Sequence, residues 1–347
     1  RNLPDPWIIA RLVTGITVSV LLTCAVGLAW RSAPDGHRGD GSEARLALER
    51  RAGLVATLVE AALVMLVTSL ALTLLIADRL TGSIRGALCA WGVLSSVEGG
   101  FAAVWTSALA ATACALWVVL HRLDLRLHTP RLTRCKLLAA LVVAPIVWLD
   151  LAATARFVFT LDRSVIASCC SSTVDPRIAA FGAADVGPTR TLLALLALVA
   201  AVAAVAAAMW VGRAPGARSA WTAAASSIAA CALSLPAVVH YVAPHVYQAP
   251  HFCPFCLLRS DAAGIGWPLF GAIFVGTALG VGLGVAEATR SASGEPQEVS
   301  ALQRPLARWV AVAWTTALVI AAYPVARFAL ASHGASLFGL DGLWTGS

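Results

Sequence analysis

Apolar residues in this chain come in long unbroken runs rather than in alternations or narrow stripes. Eight such runs stand out, at 7–30, 52–77, 101–120, 137–161, 191–212, 220–242, 267–286 and 309–330. A helix that crosses a bilayer needs about 20 mostly apolar residues, and every run reaches that length. Period-two alternation is missing from all of them, which excludes barrel strands. The pattern predicts an all-α fold, a polytopic integral membrane helix bundle of about eight transmembrane helices, as one transmembrane domain over 1–347.

Polar residues refine the runs. Trp7 and Trp30 bracket the first, with Arg11 expected to snorkel to the nearer interface. Gly41 and Ser42 predict that the second helix begins early and carries 43–51 as a solvated extension. Pro145 and Pro236 predict kinks in the fourth and sixth helices. Pro324 and Arg327 fall near the end of the eighth. The half-apolar segment 78–100 is expected to lie along the interface as a short amphipathic helix.

Composition agrees with a bilayer as the solvent. Residues are 59% hydrophobic and 12% charged, whereas a soluble domain has about 25% charged residues. The net charge of +7 follows from arginines in the connections and is no nucleic-acid signal. The connections 31–51, 121–136, 213–219 and 287–308 hold fifteen Arg and Lys residues, against eight in the opposite connections and the two ends. By the positive-inside rule the first set is cytoplasmic, and both termini lie outside. The expected location is a bacterial-type inner membrane, with the lipid bilayer as the partner. The chain opens on Arg1 without a cleavable signal pattern, so its natural start is expected upstream.

Cysteine placement carries the chemistry. Cys24, Cys114 and Cys231 lie inside apolar runs and read as small buried hydrophobes, and Cys135 reads as a reduced cytoplasmic thiol. Cys89, Cys169, Cys170, Cys253 and Cys256 all fall in outer connections. An outer compartment is oxidising, which makes them candidates for disulfides or metal ligation. Cys253-Pro-Phe-Cys256 is the one pair at a reactive spacing. If Pro254 opens a helix, Cys253 sits at the N-terminus, where free N–H groups favour thiolate. Cys256 is then placed to resolve a mixed disulfide. Arg259, one turn further on, would hold a thiolate or bind a quinone oxygen. The vicinal pair Cys169-Cys170 closes only a strained, labile ring, so pairing with Cys89, exchange with Cys253 or binding of a soft metal are its alternatives.

Two further sets are singled out. His240, His245 and His251 precede the pair and offer, with Cys253 and Cys256, an alternative metal or haem site. The spacing is not that of a closed structural zinc site. Asp150 lies 13 residues into the fourth run, about 20 Å from its inner end. An acid at such a depth reads as functional by default. It is a candidate proton relay for thiol oxidation, or it pairs with a polar group and pins the bundle.

At Cys253, Cys256 and Arg259 the chain resembles the membrane thiol oxidases of the bacterial disulfide-bond-formation (DsbB-type) and vitamin K epoxide reductase families. The resemblance covers about ten residues and the topology. It implies a quinone held beside Arg259, with Cys89, Cys169 and Cys170 passing disulfides to a soluble thioredoxin-like protein outside. Those families have about half as many spans, and their arginine stands one residue further from the second cysteine.

Three readings follow. One is thiol–disulfide redox chemistry on the outer, periplasmic face. The second is a non-enzymatic subunit or carrier binding a metal or haem. The third is a transporter or assembly subunit with structural disulfides. No phosphate-binding loop is present, which excludes an ATPase of the usual type.

Overall fold

The structure is a computed structural model that describes residues 6–32, 42–87, 89–127, 132–161, 187–248 and 252–333. The apolar runs form α1 (Pro6–Ser32), α2 (Ser42–Arg79), α3 (Gly100–Asp124), α4 (Thr133–Phe159), α5 (Gly187–Arg213), α6 (Ala217–Ala237), α7 (Gly266–Ala288) and α8 (Pro296–Ala331). All eight are long and apolar enough to span a bilayer, α6 together with its continuation to Tyr247. No strand occurs among the described residues. The fold is therefore the expected all-α polytopic membrane bundle. Its outward faces are as apolar as its interior: Val64, Val142 and Leu192 are more than half exposed. A surface of that kind suits lipid and not water.

The chain divides into two compact units, Arg1–Ala167 with Ala288–Leu302, and Ser168–Glu287 with Gln303–Ser347. In the first unit α1 packs on α2, α2 on α3, α3 on α4 and α4 on α1. The buried stripe of α1 is Ile8, Arg11, Gly15, Val18, Leu22 and Ala25, spaced three and four apart as one helix face requires. On α3 the inward residues are Ala103, Ser107, Ala110, Ala111 and Cys114. Between lipid-embedded helices packing is driven by close approach, which small residues allow. α4 runs unbroken through Pro145.

The connection from α2 to α3 does carry a short helix. It is a 3-10 turn, Leu80–Ser83, then a short helix, Ala90–Ser95. Leu80, Ile84, Val93 and Leu94 are buried. The apolar half of the segment packs into protein. Gly99 (φ +92°) turns the chain, and Gly100 rests so closely on the Leu94 carbonyl that a Cβ has no room.

In the second unit α5 presents Ala197, Ala201, Ala204, Ala208 and Val211 inward. α7 presents Gly276 to Trp314 and Gly280 to Ser227. Leu257, Leu269, Ile273 and Trp314 share one buried apolar cluster, so the Cys-Pro-Phe-Cys segment is anchored in this unit's core.

Candidate functional site

Pro236 shapes the approach to the motif. Proline has no N–H to give to the preceding turn, which releases a carbonyl and loosens the ladder. The helix widens directly afterwards into a π turn, Val238–Val242, and tightens again over Ala243–Tyr247. π turns recur at functional sites. This one carries His240 and Tyr241. Gln248, in left-handed conformation (φ 50°), ends the helix.

Cys253 and Cys256 follow. Their sulfurs lie within 4.8 Å of each other, and the residues are 3% and 6% exposed. Three contacts hold the turn that bears them. Tyr247 Oη donates to the Cys256 carbonyl at 2.8 Å. Trp267 Nε1 donates to the Leu258 carbonyl at 3.0 Å. Gly266 lets the first turn of α7 press on the motif, since a Cβ there would meet the Leu257 carbonyl group at 2.9 Å. The Arg190 guanidinium stands 4.5 Å over the Phe252 ring, and the His240 ring is 6.0 Å from it on centroids.

One expectation about the motif is corrected. The segment after Pro254 is a single 3-10 turn, Phe255–Leu258, and not an α-helix. One such turn aligns too few peptide dipoles to favour a thiolate by itself. Arg259 ends that turn with an extended backbone (φ −81°, ψ 161°). Its N–H closes the turn on the Cys256 carbonyl at 3.0 Å, and its guanidinium is 3.8 Å from the Asp261 carboxylate.

His240 and His245 stand on the π turn and on the helix that continues it. His245 Nδ1 is 2.6 Å from the Tyr241 carbonyl oxygen, and its ring stands edge-on to Phe328 at 5.5 Å. Neither it nor His240 brings a ring nitrogen within ligand-sharing distance of the two sulfurs. Cys169, Cys170 and His251 lie outside the described residues.

A cavity of about 400 Å³ opens among α5, α6, α7 and α8, and no residue of 252–259 lines it. Ala, Leu and Val dominate its walls, and Thr191, Ser234, Tyr241 and Trp314 also line it.

The chain matches no known protein family. No characterised protein and no solved structure matches it either.

The remaining site candidates lie in the first unit. Cys89 is fully buried and stands at the N-cap of Ala90–Ser95. Asp150 is buried against Arg11, with Arg11 Nη2 at 2.9 Å from Oδ1 and 3.0 Å from Oδ2. Arg11 is 0% exposed, which corrects the expectation that it snorkels. A carboxylate and hydroxyls in the bundle offset its desolvation. Cys24, expected to be buried, is on the exposed side of α1. Sequence reasoning passed over Arg190, Tyr247 and Trp267 as contributors. Nothing in the local sequence of Arg190 points to Phe252, 62 positions on.

Proposed function

We propose that this protein carries out thiol–disulfide exchange at Cys253 and Cys256 on the outer face of a bacterial-type inner membrane. The observation that carries the reading is the nearness of the two sulfurs in a turn held by Tyr247 and Trp267. Oxidation of the pair forms one S–S bond and releases two electrons and two protons. A quinone is the acceptor that suits a membrane site, since it takes up both electrons and both protons. The apolar cavity bordered by Tyr241 and Ser234 fits a quinone's hydrocarbon tail. Cys89, Cys169 and Cys170 fall in connections that follow an even number of spans, as the motif does, so the same face is expected for all of them. They are the candidates for passing the disulfide to a soluble thioredoxin-like partner.

The test is to follow Cys253 and Cys256 individually by alkylation mass shift in native membranes. We expect a reduced pair that added quinone oxidises. Thiols that react only after a chelator is added replace this reading with the metal site. Thiols that stay blocked until strong reductant is added make the pair a structural staple.

A further inference from the structure

Four oxygen atoms in the first unit converge on one nitrogen. Arg11 Nη2 lies 2.9 and 3.0 Å from the two Asp150 oxygens, 3.0 Å from Ser107 Oγ and 2.8 Å from Thr154 Oγ1. A guanidinium nitrogen of this type carries two hydrogens, so at most two of the four oxygens receive a good hydrogen bond. Ser107 Oγ is in turn 2.5 Å from Asp150 Oδ1. Arg11 Nε donates to Thr73 Oγ1 at 2.8 Å. Nη1, which carries two more hydrogens, is buried with no hydrogen-bond partner among the described residues. Gly15 leaves the space that Nη1 occupies, since a Cβ there would be 3.0 Å from it.

This is not how an arginine site is usually built. Arginine pairs best with a carboxylate when two nitrogens face two oxygens as a fork. Here both carboxylate oxygens and two hydroxyls face a single point. Oxygens gathered around a point form the coordination shell of a hard cation. One carboxylate among neutral hydroxyls balances a single positive charge. Arg11 also has somewhere to go. It lies five residues from Pro6 at the start of α1, about 8 Å of helix rise, within reach of a long side chain that snorkels to the interface.

We propose that Asp150, Ser107 and Thr154 form a sodium-ion site in the first unit, and that the Arg11 guanidinium holds the ion's place when none is bound. Arginine and ion exclude each other, because together they leave an uncompensated buried charge beside a single carboxylate. Sodium binding therefore drives Arg11 outward, and return of Arg11 releases the ion. The first unit is in this sense a two-state ion site, independent of the thiol chemistry proposed for the second.

Thermal unfolding of the purified full chain tests this in sodium, potassium and choline chloride at equal ionic strength. Ion binding raises the midpoint by mass action. We expect a sodium-specific rise in the wild type. The half-effect concentration should fall about tenfold or more in Arg11→Met, where the competitor is gone. The response should vanish in Arg11→Met/Asp150→Asn and weaken in Thr154→Val and Ser107→Ala. An Arg11→Met protein that folds and unfolds alike in the three salts overturns the proposal, as does a sodium response retained in Asp150→Asn. If Arg11→Met cannot be recovered even in high sodium, the wild type and Thr154→Val decide. Absence of a sodium-specific wild-type response, or one that Thr154→Val leaves intact, then rejects the site. A midpoint that follows pH but not sodium rejects it as well, in favour of a proton on Asp150.

Discussion

The phenol of Tyr247 donates a 2.8 Å hydrogen bond to the backbone carbonyl of Cys256, nine residues further along the chain. The bond ties the last turn of the α6 continuation to the turn that carries both cysteines. It acts on the backbone that positions the sulfurs.

Tyr247→Phe keeps the ring and removes only that donor. A neutral hydrogen bond of this kind contributes about 0.5–1.5 kcal/mol. We expect alkylation of Cys256 in native membranes to quicken a few-fold, with the thermal midpoint of the whole protein little changed. An unchanged alkylation rate would show that Trp267 and Gly266 hold the turn without Tyr247.

Gly280 of α7 packs directly against Ser227 of α6. A Cβ on residue 280 would fall on the Ser227 side chain. Gly280→Ala should cost about 1–3 kcal/mol, as overpacking does. In a Ser227→Gly background the same change should cost little, because the obstructing side chain is gone. A double-mutant cycle by thermal or SDS unfolding measures the coupling. Additive effects would mean that α7 meets something other than Ser227 there.

Lys136 is the chain's single lysine and is 2% exposed. Its Nζ lies 2.5 Å from Asp124 Oδ2 and 3.4 Å from His121 Nδ1. Trp117 Nε1 donates to its carbonyl at 2.8 Å. An amine-reactive tag must wait for local opening to reach a group so enclosed. Labelling of Lys136 in the native protein should therefore be about tenfold or more slower than after SDS denaturation, read by peptide mass. Equal rates would place the amine at the surface.

The eight helices were legible because their signal is local. A bilayer leaves no water to satisfy a bare backbone, so about 20 consecutive apolar residues suffice to call a helix without knowing any neighbour. The Cys253–Cys256 pair was legible for a similar reason, since three residues of spacing keep two sulfurs close in any turn. The neighbourhood of that pair was not. Pro254 suits an α-helical start and a 3-10 turn equally, and the packing of Gly266 on Leu257 belongs to the tertiary structure.

Arg11 shows the limit most clearly. Five residues into an apolar run, it has two physical options of similar standing, to reach back to the interface or to turn inward. Its own stretch of chain does not choose between them. Sequence alone determined the number and nature of the helices and the chemistry available at 253–256. Only the tertiary structure decided that Arg11 turns inward, because its partners Asp150, Ser107, Thr154 and Thr73 stand 62 to 143 positions away. Burial of a charge is tolerated only where such partners have already converged.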